Sequence, residues 1–166
     1  MLKLITYPNN ILTERMPEFD FSNPIMDPFE LEKELIETMF ANNGIGLSAN
    51  QVGIRTRVFA MGHVDIPDQA KAFFNPEIVA NVDFMSDYEE GCLSFPNIYV
   101  KLKRPASIKA KYQNSKGEEQ FAILEGLECR CFLHEFDHLE GITFQDRAST
   151  LKWALAVKKS QKRKYR

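Results

Sequence analysis

Residues 125–140, Glu125-Gly126-Leu127-Glu128-Cys129-Arg130-Cys131-Phe132-Leu133-His134-Glu135-Phe136-Asp137-His138-Leu139-Glu140, decide the fold. At helical periodicity Leu127, Cys131, His134 and His138 fall along one face, while Phe132, Leu133, Phe136 and Leu139 cover the others. A helix apolar on most sides is normally buried, so the rest of the chain is expected to wrap around this one. Gly141 closes it. Inside the helix, His134-Glu135-Phe136-Asp137-His138 is an HExxH pattern. Its i, i+4 spacing aims both imidazoles at one point, with Glu135 beside that face. The plainer reading is a solvent-facing helix with two incidental histidines, and the apolar flanks argue against it. Two buried histidines and a carboxylate carry a desolvation cost of several kcal/mol, which a divalent metal offsets directly.

Outward from this helix, residues 55–124 break into short β-prone runs such as Val58-Phe59-Ala60-Met61 and Ile108-Lys109-Ala110-Lys111-Tyr112. Turn signals at Gly62, Asn75-Pro76, Phe95-Pro96-Asn97 and Asn114-Ser115-Lys116-Gly117 are expected to separate them. This is the pattern of an antiparallel sheet region. Upstream, Asp27-Pro28 with Glu30 marks a helix start, Leu31, Leu35, Ile36, Met39 and Phe40 supply an apolar face, and Asn42-Asn43-Gly44 ends it. Ser149 can cap a last helix beginning at Leu151. The expected architecture is α+β, with antiparallel sheets packed around the buried helix in a single compact domain: residues 1–150 form the catalytic part, and 151–166 a short helix and basic tail.

The 166 residues, 44% of them hydrophobic, suffice for one core. No stretch approaches the length needed to cross a bilayer, and Met1 to Asp20 lack a signal-peptide run, so a cytoplasmic protein is expected, binding neither membrane nor specific DNA. Three cysteines are too few for a disulfide framework, which leaves burial or metal ligation. The net charge of -2 conceals an asymmetry. Up to Asp146 there are 13 Lys and Arg against 23 Asp and Glu, whereas residues 147–166 carry 8 against none. The body is acidic and the tail basic.

A catalytic metal of the HExxH kind takes three protein ligands and keeps a fourth position for water. Cys92, in Glu89-Glu90-Gly91-Cys92-Leu93-Ser94, is the best third ligand. Cys129 and Cys131 compete, but Cys129 points well around the helix from His134, and Cys131, a turn away, is better placed to line a pocket. A third segment, Gly44-Ile45-Gly46-Leu47-Ser48-Ala49-Asn50-Gln51, lies at a helix end, where two glycines permit close backbone approach. Alone it reads as a helix terminator, and its meaning rests on co-occurrence with the other two.

In order and spacing these segments resemble the three motifs of the peptide deformylase family: 44–51 its GxGLxAxQ, Glu90-Gly91-Cys92-Leu93-Ser94 its EGCLS, and 134–138 its HExxH. Tyr7-Pro8 before Leu12 also looks like the family's N-terminus. The resemblance implies hydrolysis of the N-formyl group from the formyl-methionine of nascent polypeptides. It implies metal ligation by Cys92, His134 and His138, proton transfer by Glu135, and oxyanion stabilisation by Gln51 and the backbone N–H of Leu93. It further implies that Ile45, Gly46 and Gly91 hold the substrate backbone. Ferrous iron is the metal implied as native, with zinc, nickel or cobalt able to substitute. Tyr88, Leu127 and Cys131 are expected to wall an apolar pocket for the methionine side chain.

The chain departs from the family at Ser48, where Ala is usual, and at Asn50, where Pro or Thr is common. Both are expected to shift the Gln51 amide slightly and leave the chemistry intact. Tyr99 replaces a common Arg, and Arg130 an aliphatic pocket residue. Two rival readings are an HExxH endopeptidase, disfavoured by a cysteine ligand, and a closed structural zinc site made of Cys92, Cys129, His134 and His138. The basic tail is either a solvated end or a ribosome-docking element.

Overall fold

Asp27 opens the first helix by accepting the N–H groups of Phe29 and Glu30, both at 3.0 Å. Pro28 takes the first turn, where no N–H is needed, and α1 (Pro28–Ala41) runs until the Asn42 side chain donates to the Thr38 carbonyl at 2.8 Å. Leu31, Leu35 and Met39 are completely buried on its inner face. The structure, a computed structural model, describes residues 1–163, without the side chain of Arg163. Lys164 and Arg166 of the basic tail lie outside the described residues.

Among the described residues seven strands follow: β1 (Gly46–Ser48), β2 (Val58–Met61), β3 (Lys71–Asn81), β4 (Met85–Cys92), β5 (Phe95–Pro105), β6 (Ser107–Gln113) and β7 (Glu119–Glu125). One antiparallel sheet has the order β1-β2-β3-β6-β7, and β4 and β5 form a separate antiparallel pair. The HExxH helix, α2 (Gly126–Leu139), is buried between them. Its Phe132 meets Phe59 and Phe73 edge-on, with ring centroids 5.1 and 5.5 Å apart. After Gly141 turns the chain at φ 72°, α3 (Phe144–Arg147) and α4 (Thr150–Arg163) pack Phe144, Trp153 and Ala156 against Phe95, Val100 and Leu102 of β5. Ser149 Oγ accepts the Lys152 N–H at 3.3 Å, as a helix cap does. Among the described residues no helix is long and apolar enough to cross a membrane.

Three local expectations are corrected. Asn75-Pro76 does not separate strands. It lies inside β3, where the register with β6 shifts between Phe74 and Glu77. Pro76 has no N–H for the ladder, and the Asn75 side chain bonds instead to Phe19 N, Phe19 O and Gln113 Oε1. Similarly, the chain reverses at Leu93-Ser94, and Phe95-Pro96-Asn97 begins β5. The pairing there jumps from Cys92–Phe95 to Gly91–Tyr99, with Asn97 at φ 64°. Finally, 46–48, read as part of a helix end, form an edge strand paired only with β2 among the described residues.

Candidate functional site

Cys92 ends β4, and His134 and His138 stand one turn apart on α2. Their three donor atoms lie within 4.8 Å of one another. Cys92 Sγ is 3.3 Å from His138 Nε2, which is 3.2 Å from His134 Nε2. A tetrahedral ion with typical bonds to nitrogen and sulfur holds its ligands about 3.3–3.6 Å apart, so the residues fit a metal. Burial opposes a proton on either ring. His138 is pushed well below the usual imidazole range by burial and by the positive charges of His134 and Arg104, leaving it neutral, the form that ligates. His134 is held well above that range despite burial, because Cys92 and Glu90 hydrogen-bond its proton. A positive charge between these groups is what the arrangement stabilises.

The other cysteines are placed elsewhere. Cys129 Sγ donates to the Pro105 carbonyl at 3.3 Å, and Cys131 Sγ to the Ile45 carbonyl at 3.4 Å. Burial pushes both thiols up, that of Cys131 well up, so each stays protonated.

Glu90, Arg104 and Asp137, to which the sequence reading gave no role, surround the triad. Glu90 Oε1 takes His134 Nδ1 at 3.0 Å, which orients the ring. The same carboxylate receives Arg104 Nε and Nη2 at 2.7 and 3.0 Å and Arg130 Nη1 at 2.6 Å. Arg104 continues to Asp137 at 2.9 Å, and Asp137 to Arg147 at 2.7 Å. Burial alone raises the Glu90 carboxyl, but His134 and Arg104 outweigh it and hold it at about 2, against an ordinary 4.5. A depressed folded-state value gives stability that is complete above the unfolded value and lost as pH falls toward about 2; the shift corresponds to about 3 kcal/mol. Glu90→Gln is therefore expected to cost about 3 kcal/mol at pH 7 and almost nothing near pH 2. Chemical unfolding of both metal-free proteins at the two pH values checks this, and an equal cost at both refutes it.

A cleft of about 530 Å³ opens beside the triad. Ile45, Gly46, Gln51, Gly91, Leu93, Leu127, Cys131, His134 and Glu135, all anticipated, line it with Cys92. Tyr88 does not: it is 65% exposed, and Arg130, which lines the cleft, lies against its ring at 5.4 Å. Arg130 is buried, and beyond Glu90 it donates to Leu102 O, Ser86 O and Ser86 Oγ. Tyr99 lines the cleft across from Gly91, where a Cβ would stand 2.8 Å from the Tyr99 ring.

Glu135 is 4% exposed, and burial raises its carboxyl above the ordinary range, against the opposing effects of His134, Ser48 and Arg104. Gln51 Oε1 accepts the Ser48 N–H at 2.9 Å, so its Nε2 faces Ser94 Oγ at 3.1 Å and Cys92 Sγ at 3.6 Å. Beyond the expected influence on the Gln51 amide, Ser48 and Asn50 make side-chain contacts of their own. Ser48 Oγ donates to Glu135 Oε2 at 2.7 Å, and Asn50 Nδ2 to the His138 carbonyl at 2.9 Å.

A Cys-His-His donor set with both histidines buried and a glutamate beside it, opening on a cleft, defines a metal-dependent hydrolase of the HExxH kind. Comparison with known proteins narrows this: the polypeptide deformylase family profile matches residues 1–154. The chain is 46% identical over 127 residues to the peptide deformylase of Thermotoga petrophila, covering 76% of each. It is 40% identical over 162 residues to that of Maricaulis maris, covering 96% of this chain and 92% of the relative. The crystal structure of the Thermotoga maritima peptide deformylase superposes with a TM-score of 0.83 at 38% identity, covering 90% of this chain and 98% of that one. The chain belongs to the peptide deformylase family, metal-dependent hydrolases that act on the N-formyl amide of nascent peptides.

Proposed function

We propose that this chain hydrolyses the formyl group from the N-terminal methionine of new polypeptides at the cleft beside Cys92, His134 and His138. The observation that carries the reading is the convergence of these three donors with the Glu135 carboxylate and the Gln51 amide at one end of the cleft. Cys92, His134 and His138 hold one divalent ion, ferrous iron in the native enzyme, with zinc, nickel or cobalt as substitutes. When bound, the ion acidifies water and polarises the formyl oxygen.

Glu135 takes the proton of the attacking water and passes it to the leaving amine. The Gln51 Nε2 and the Leu93 N–H face the oxygen on which charge develops. The backbone of Ile45, just before β1, and the open edge of β1 at Gly46 hold the peptide backbone across from Gly91, and Leu127 and Cys131 receive the methionine side chain. The test is formate release from a formyl-methionyl peptide by freshly purified protein, with metal analysis of the same sample. A fully metallated protein that releases no formate overturns the proposal.

The setting we infer is the cytoplasm, at the ribosome. Along α4, Lys158, Lys159 and Lys162 follow the 70% and 53% exposed Leu151 and Leu155, and no acid in the segment neutralises them. Each phosphate contact adds about 0.7–0.9 to the salt slope of binding. Deleting residues 158–166 is expected to abolish ribosome co-sedimentation at low salt while hydrolysis of a short formyl-methionyl peptide stays near wild type. Unchanged co-sedimentation makes the tail a solvated end.

A further inference from the structure

Strand alternation places Gly46 and Ser48 on one face of β1 and Leu47 on the other, among the residues packed on α1. The shared face meets Glu135. A Cβ at Gly46 would stand 2.5 Å from Glu135 Oε1, whereas Ser48 Oγ donates to Glu135 Oε2 at 2.7 Å and touches the Glu135 carbonyl at 3.1 Å. The Ser48 backbone N–H fixes the Gln51 carboxamide at 2.9 Å. Ser48 and Gln51 are 0% and 1% exposed, so water does not compete for these bonds. One residue thus grips two of the groups to which the deformylase reading assigns chemistry, Glu135 and Gln51.

We propose that Ser48 is a positioning residue that divides the two oxygens of Glu135, anchoring Oε2 through its hydroxyl so that Oε1, against Gly46 in the cleft wall, is the oxygen that carries the proton. This rests on the deformylase reading of Glu135. Oε1 takes one proton from water as the water oxygen bonds to the formyl carbon. It delivers that proton to the amine nitrogen as the C–N bond breaks, so that formic acid and a free amine result and Glu135 is again a carboxylate. A carboxylate free to rotate about its last bond presents the wrong oxygen, or the right one misaligned, for part of the time. A misplacement of this size lowers the rate of the chemical step and leaves substrate binding alone.

The experiment is a double-mutant cycle on metal-loaded protein, using formyl-methionyl peptide. Ser48→Ala is expected to lower kcat roughly tenfold, with KM and metal content as in wild type. Ser48→Thr, which keeps a hydroxyl, is expected to restore most of kcat. In a Glu135→Asp background, where the carboxylate is withdrawn from the hydroxyl, Ser48→Ala is expected to cost nothing further. Loss of the same factor in both backgrounds, or wild-type kcat in Ser48→Ala, overturns the proposal. If Ser48→Thr fails to fold, the cycle alone decides. The underlying reading fails separately, if wild type releases no formate or Glu135→Asp is fully active.

Discussion

Glu135→Gln is expected to bind metal and to melt like wild type while releasing formate about 10³- to 10⁴-fold more slowly. The carboxamide keeps the length and shape of the side chain, and its oxygen still accepts the Ser48 hydroxyl that lies 2.7 Å from Oε2. What it loses is the capacity to hold a proton between water and amine. Burial has already raised the carboxyl of Glu135, bringing a weak base closer to the pH at which it works. Because an ionised carboxylate at 4% exposure is costly to bury, the neutral amide is not expected to destabilise the fold. Wild-type turnover with metal bound would remove Glu135 from the proton-transfer role.

Cys92→Ala is expected to retain less than about a tenth of the metal after dialysis and to lose activity in proportion, since two imidazoles alone hold a divalent ion weakly. The thiol is also the atom faced by Gln51 Nε2 and His138 Nε2, at 3.6 and 3.3 Å, so its removal opens the centre of the site. Cys129→Ala, at a thiol committed to the Pro105 carbonyl, is the matched control and should keep its metal. Full metal occupancy in Cys92→Ala would remove Cys92 from the ligand set.

The helix that carries the histidines was legible because burial leaves apolar residues on most of its faces, and two histidines among them demand a partner. The turn at Asn114–Gly117 and the cap at Asp27 were legible because their chemistry is local. The strand at 46–48 was not. Three residues beginning with glycine show no alternation, and their strand character comes from pairing with Val58–Met61 across a loop. Asn75-Pro76 and Phe95-Pro96-Asn97 carry real punctuation, but a proline that interrupts a ladder leaves the same mark as one that reverses the chain. Glu90, Arg104, Arg130 and Asp137 meet only after two strands and a helix have been brought together. The clues were Arg130 and Asp137, charges on a helix too apolar to leave them unpaired. Ser48 was noticed for its position beside Gln51, while its side chain points, by strand alternation, at Glu135.

Among the described residues β1 has a strand partner on one side only, and at Gly46 its other edge reaches the wall of a cleft also lined by Gly91, Tyr99 and Leu127. Folded proteins bring their strands already paired, and an edge strand on their surface is backed by a whole sheet that such a cleft excludes. A loose chain end has no such bulk. Its amides are in search of partners, and an open strand edge offers them to backbone, which every chain end carries. The geometry therefore favours a chain whose beginning is still an unstructured thread over one in which that thread is folded away.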